Sequence, residues 1–241
     1  ANDMKSSIAC FISAVSKFLN KKSKINGSIS FLITGDEEGV AINGTKKVVD
    51  YLKKNKEKIN FCIVGEPTNP KKLGEMIKIG RRGSLSGTLE IFGSQGHVAY
   101  PHLSNNPINT LITICDKLKK SRLDKGNKNF QPSNLEFTSI FVDNKAHNVI
   151  PSRVKSQFNI RYNNIHTAAS LKKKINNIIK NICKKNRCKF KVNYVVSGDA
   201  FLTKPEKTIY MAKKIIKKIT KINPKFSTTG GTSDARFIKN I

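Results

Sequence analysis

No run of apolar residues in this chain approaches the roughly 20 needed to cross a bilayer, and its opening segment lacks the form of a secretory signal. The expectation is a cytoplasmic protein. Cysteine is sparse as well. Cys10, Cys62, Cys115, Cys183 and Cys188 are odd in number, scattered, and mostly set within apolar patterns, which reads as reduced core thiols and excludes a disulfide framework. Cys183 and Cys188 lie closest together, but no histidine or further cysteine stands near them at zinc-ligand spacing. Internal repeats and low-complexity linkers are missing too. Acidic residues are few, 16 against 45 basic ones, for a net charge of +29. Such an excess ordinarily points to nucleic acid. Here arginine is scarce, seven residues against 38 lysines, whereas arginine dominates bidentate readout of phosphates and bases. The lysines are also spread over the whole chain, and abundant Ile and Asn accompany them, as AT-rich coding would produce. Nucleic acid is therefore not the expected partner. A positive surface would still speed encounters with a polycarboxylate.

Because acids are few, their placement matters. Asp3, the pair Glu37-Glu38, and Glu66 all fall within the first 66 residues. The last two sites follow the apolar runs 28–34 and 60–64, which read as buried parallel strands. Their C-terminal ends form the edge where open α/β sheets bind ligands. Converging carboxylates repel unless a cation lies among them, so a divalent metal is one reading. Solvated loop acids are the other.

The chain's 241 residues suffice for one large domain or two moderate ones. Ile8, Phe11, Ile12, Val15, Phe18 and Leu19 share one face of a helix over 5–20. The strand 28–34, a helix near 44–54 and the strand 60–64 continue a β/α alternation. The pattern changes near Gly80-Arg81-Arg82-Gly83. Leu85, Gly87, Leu89 and Ile91 then alternate with polar neighbours as in a half-exposed strand. A helix over 106–120, strands over 134–142 and 154–162, a helical stripe from Leu171 to Ile182, and a strand with Phe190, Val192 and Tyr194 follow. Their order is β-α-β-β-α-β, the ferredoxin-like pattern, complete within 84–195. A helix over 205–220 and a glycine-rich turn come last.

These segments together resemble the M20 family of dinuclear zinc amidohydrolases. The resemblance rests on Asp3-Met4-Lys5, Asp36-Glu37-Glu38, Val64-Gly65-Glu66-Pro67 and Gly80-Arg81-Arg82-Gly83-Ser84. It continues through Gln95-Gly96-His97-Val98-Ala99-Tyr100-Pro101-His102, Asn148-Val149-Ile150-Pro151, Phe201-Leu202-Thr203-Lys204-Pro205 and Gly230-Gly231-Thr232-Ser233-Asp234. It implies an α/β, zinc-exopeptidase-like catalytic domain (1–82 and 197–241) with an inserted ferredoxin-like dimerisation or lid domain (83–196). It implies two Zn²⁺ per subunit, with Co²⁺ an alternative in one site. Asp3 would bridge the metals, Glu38 and Glu66 would complete one site each, and Glu37 would be the general base. His97 would cross a homodimer interface and donate to the partner's developing oxyanion. Arg81 and Arg161 would bind substrate carboxylates, with strand-end salt bridges as the alternative. Tyr100 and Asn148 would reach over from the partner, and Ser197, Gly231 and Thr232 would line the pocket or serve ordinary turns. His102 and His166 read as surface or structural residues.

The activity implied is hydrolysis of N-succinyl-LL-2,6-diaminopimelate to succinate and LL-2,6-diaminopimelate, in lysine and diaminopimelate biosynthesis. Another acyl-amino-acid or peptide substrate, or a non-catalytic dimer, are the rivals. Two features depart from the family pattern. The metal-ligating histidines expected well before Asp3 and well after Asp234 are not in these residues, so the chain reads as an internal piece that binds zinc poorly by itself. His147 also stands where relatives carry a second Asn.

Overall fold

The computed structural model describes residues 3–21, 25–35, 37 and 43–239. In chain order its elements are α1 (Lys5–Lys21), α2 (Thr45–Lys54), β1 (Met76–Lys78), β2 (Gly80–Arg81), β3 (Gly83–Phe92), β4 (Gly96–His97), α3 (Pro107–Lys120), β5 (Asn134–Phe141), β6 (Val149–Ile150), β7 (Arg153–Tyr162), α4 (Ala168–Lys185), β8 (Lys189–Gly198), β9 (Phe201–Leu202), α5 (Lys207–Thr220), β10 (Lys225–Ser227) and α6 (Ala235–Ile238). Two compact units result. One comprises residues 1–79, 203–227 and 233–241, and the other residues 80–202 and 228–232.

The second unit holds the main core. Its four-stranded antiparallel sheet has the order β5-β7-β3-β8, that of a ferredoxin-like split βαβ. Alternation in β3 and β7 sends Leu85, Leu89, Ile91, Val154, Phe158, Ile160 and Tyr162 to one buried face. Leu111, Ile114 and Leu118 of α3 and Leu171, Ile175, Ile179 and Cys183 of α4 complete that core. The spacing of these residues is the three-to-four-residue period of a helix with one apolar stripe. Both helices start where local chemistry directs. The Asn106 side chain accepts from Ile108 N (2.9 Å), ahead of Pro107 in the first turn. Thr167 and Ser170 form a reciprocal capping box. Opposite Phe158 stands Gly87. A Cβ there would collide with the Phe158 ring, so only glycine lets the aromatic lie across β3.

A polar hub ties the loops below this core. Asp124, its side chain 6% exposed, accepts from Gly126 N (2.7 Å), Asn163 Nδ2 (2.7 Å) and Ser133 N (3.2 Å), and lies 3.1 Å from His166 Nε2. His166 is thus a structural residue, as expected.

In the first unit, β1 and β10 pair in parallel, Met76 opposite Lys225. Ile79 N donates to Ser227 O and Thr203 N to Ile79 O. α1, α2 and α5 form where the periodicity places them. The runs 28–34 and 60–64 do not form strands. Parallel strands bury both faces and bond along their edges. Here neither run has a ladder partner among the described residues, and Ile33 and Ile63 are 60% and 62% exposed. Apolar content shows what a segment can bury, whereas a ladder also requires a neighbour. Among the described residues no helix is long and apolar enough to cross a membrane.

Burial pushes the Asp124 carboxyl up, but the bonds from the Ser133 hydroxyl, Gly126 N–H, Asn163 amide and Ser133 N–H outweigh it and hold it below its usual value. A depressed carboxyl stabilises the fold above its unfolded pKa and loses that contribution as pH falls through the folded value. Asp124→Ala should cost about 2–4 kcal/mol in denaturant unfolding at pH 7, since it strands several buried donors. The gap between wild type and variant should narrow below about pH 4.

Candidate active site

The expected metal ligands belong to the first unit. Asp3 is exposed in the turn that leads into α1, where Ser7 N and Ile8 N both donate to Met4 O. Glu66 is partly buried in the loop that follows the second apolar run. That loop packs on the start of α1, because a Cβ at Gly65 would stand 2.8 Å from Ser7 Cβ and 2.9 Å from Met4 Cε and Phe11 Cε2. The segment flanking Glu66 therefore packs against residues that directly follow Asp3; oxygen donors of this kind suit a hard or borderline divalent cation. Glu37 is partly buried; Glu38 lies outside the described residues. Among the described residues no group of three or more His, Cys, Asp or Glu could hold a metal ion.

The second unit carries two separate polar clusters. The first gathers at the end of the sheet where β3 begins. Arg81 is buried, its Nη1 donating to Thr229 O (3.0 Å). Gly230, at φ +98, lies flat against it, since a Cβ would come within 2.7 Å of the same nitrogen. Gly231 faces open space. One register row crosses all four strands: Asn134 opposite Arg161, Arg161 opposite Ser84, Ser84 opposite Gly198. The β3–β8 register shifts between Ser84 and Leu85, leaving Ser197 as the extra residue of a bulge. Arg161, Ser84 and Ser197 thus stand together, with Arg82 bonded to Asn134 Oδ1 (2.8 Å) beside them. Burial and the neighbouring Arg161 charge lower the Arg82 guanidinium pKa. Ser84 was not among the expected residues. Its signal was the cross-strand register, which no single sequence displays; Asn159 Nδ2 donates to it (3.1 Å).

The second cluster lies past the other end of β3. β4 pairs with β6, Gly96 opposite Ile150 and His97 opposite Val149, and Val98 N donates to Asn148 O (3.0 Å). This ribbon sets His97 beside Asn148, with 3.5 Å between Nε2 and the side-chain amide. Tyr100 follows, its ring centroid 6.1 Å from that of His97 and 6.4 Å from that of His102. All four side chains are exposed. Ala99 N donates to His97 Nδ1 (3.1 Å), so the hydrogen of the neutral ring sits on Nε2. The neutral His97 ring therefore presents Nε2–H as a donor beside the exposed Asn148 amide. The nine residue steps of β3 separate the two clusters by roughly 30 Å at the rise of an extended strand.

Residues 79–187 match the family model of the peptidase dimerisation domain of the M20 family. Over its whole length the chain is 65% identical to the succinyl-diaminopimelate desuccinylase of Pelagibacter ubique (strain HTCC1062), covering 100% of this chain and 63% of that protein. It is 49% identical to the desuccinylase of Rickettsia bellii (strain RML369-C), covering 99% and 61%. The chain thus spans about three fifths of the length of these relatives. Among solved structures, aminopeptidase PepT from Bacillus cereus ATCC 10987 superposes with a TM-score of 0.75 at 18% identity, over 100% of this chain and 60% of that one. A Staphylococcus aureus tripeptidase gives 0.73 at 16%, over 93% and 56%. Those two share the mixed α/β fold.

Arg81 clasps the 228–232 loop through a backbone carbonyl. Arg81→Lys keeps the charge but loses the planar fork. It should leave overall unfolding within about 1 kcal/mol while making the Gly230 and Gly231 amides exchange several-fold faster with deuterium.

Proposed function

We propose that the protein bearing this chain is a metal-dependent amidohydrolase. It converts N-succinyl-LL-2,6-diaminopimelate to succinate and LL-2,6-diaminopimelate in lysine and diaminopimelate biosynthesis, acting in the cytoplasm as a homodimer. The 65% identity to the Pelagibacter ubique desuccinylase, held over all 241 residues, carries this reading. The catalytic segments are 1–82 and 197–241, and the lid is 83–196.

Asp3 would be shared by two metal sites, with Glu66 completing one and Glu38 the other; the metals would be Zn²⁺, or Co²⁺ in one site. When bound, they supply Lewis-acid polarisation of the amide carbonyl and a more acidic water. Glu37 takes the proton of the attacking water on its carboxylate and passes it to the leaving amine nitrogen. His97 donates from Nε2–H to the developing oxyanion. Arg81 and Arg161 hold substrate carboxylates, a task suited to planar guanidinium groups. Tyr100, Asn148, Ser197, Gly231 and Thr232 contact the substrate.

Support for a shared site comes from β3. A substrate held at the Arg81 and Arg161 end of one lid is too far from the same lid's His97 to receive its hydrogen bond, whereas the partner's His97 has no such constraint. Exposed apolar side chains on the sheet edge, Ile140 and Phe141 of β5, suit a lid that pairs with a second copy.

Two variants of the full-length, metal-loaded protein test the chemistry and the sharing together. Glu37→Gln should lower kcat by roughly 10²–10⁴-fold, and His97→Ala by about 10²–10³-fold. Mixing the two after unfolding and refolding together should restore about a quarter of wild-type sites, the fraction random pairing into dimers produces. No recovery would mean that each subunit uses its own histidine. Faster hydrolysis of dipeptides or acetylated amino acids than of the succinylated substrate would overturn the assigned specificity.

A further inference from the structure

We propose that Asn148 is a positioning residue for His97, holding the imidazole so that its Nε2–H points outward and is surrendered to a stronger acceptor. The inference goes beyond the substrate contact assigned to Asn148 above, and its functional half rests on that reading.

The argument starts from the two nitrogens of the ring. Nδ1 accepts from Ala99 N–H at 3.1 Å, so in the neutral ring Nε2 bears the hydrogen. The amide of Asn148 lies 3.5 Å from Nε2, closest through Nδ2. Two donors facing one another repel, and the oxygen and nitrogen of a side-chain amide exchange places by a half-turn. The arrangement that satisfies both groups presents Asn148 Oδ1 to Nε2–H. At 3.5 Å that bond is long and weak. It suffices to aim the ring and yields readily to an oxygen carrying developing charge.

Asn148 can do this because its backbone is held on both sides. Its carbonyl accepts from Val98 N (3.0 Å), and His97 pairs opposite the next residue, Val149. Val149 O in turn accepts from Asn144 Nδ2 (2.8 Å), while Asn144 Oδ1 accepts from Ala146 N (3.2 Å). The loop 144–148 is thereby folded back on the ribbon, and the Asn148 side chain projects next to the ring. His97 and Asn148 are both exposed, so packing does not fix the imidazole. Hydrogen bonds must.

In ¹⁵N-imidazole spectra of the full-length protein, the His97 signals are assigned by their disappearance in His97→Gln. The neutral His97 ring should show hydrogen on Nε2. Asn148→Leu should preserve that tautomer, which Ala99 N–H imposes, but speed exchange of the Nε2 hydrogen with water several-fold. Asn148→Asp, which retains an acceptor oxygen, should restore slow exchange. With the succinylated substrate, Asn148→Leu should lower kcat by roughly tenfold to a hundredfold, in addition to any rise in KM from the lost substrate contact. A wild-type ring carrying its hydrogen on Nδ1 would overturn the proposal. So would unchanged exchange in Asn148→Leu with a raised KM, which marks a direct substrate contact alone. If exchange responds as expected but the wild-type protein leaves the succinylated substrate intact, the assigned activity fails and the positioning role stands.

Discussion

β3 is the constraint on which the second unit depends. It is bonded along its whole length to β7 on one side and β8 on the other. Its alternation decides which residues of all three strands enter the core, because directly opposed residues in an antiparallel pair share a face. Leu85, Leu89 and Ile91 face the helices, as do Ile160, Phe158 and Val154 across from them. The intervening row of Ser84, Ser86 and Asn159 faces the other way and bonds to itself. A slip of one residue would exchange core and polar face at once. Gly83 and Gly87 reinforce the register, since the Tyr162 and Phe158 rings opposite them leave no room for a side chain.

The same strand sets the spacing of two polar clusters. Arg161, Ser84 and Ser197 stand together where β3 starts, with Arg81 on the strand just before it, and His97, Asn148 and Tyr100 meet beyond where it ends. Its length keeps the guanidinium groups and the imidazole apart within one copy. The long edge β5, with Ile140 and Phe141 exposed, is the sort of surface that solvent tolerates poorly.

The first unit is organised differently. Its helices follow their sequence periodicity, and its short parallel pair β1–β10 joins distant parts of the chain. Its acids sit on loops, Asp3 beside α1 and Glu66 on a segment packed against α1 through Gly65. The position of a carboxylate on a loop is set by what that loop packs against.

Much of the second unit was legible in advance. The period-two alternation of 85–91 and 154–162 and the helical stripes of 106–120 and 171–182 reflect local geometry, and each element formed where its pattern lay. The runs 28–34 and 60–64 were misread as strands, because an apolar run is the same whether or not a neighbour exists to bond to it. Sequence alone likewise determined the kinds of chemistry available, namely a few carboxylates, scarce arginines and one histidine after a glycine, since side-chain type sets charge and hydrogen-bonding capacity. Only the tertiary structure decided which of them meet. The Ser84–Arg161 row, the Ser197 bulge, the clasp of Arg81 on Thr229 and the tautomer of His97 all depend on register and on backbone groups brought from elsewhere. A linear sequence shows neither of these.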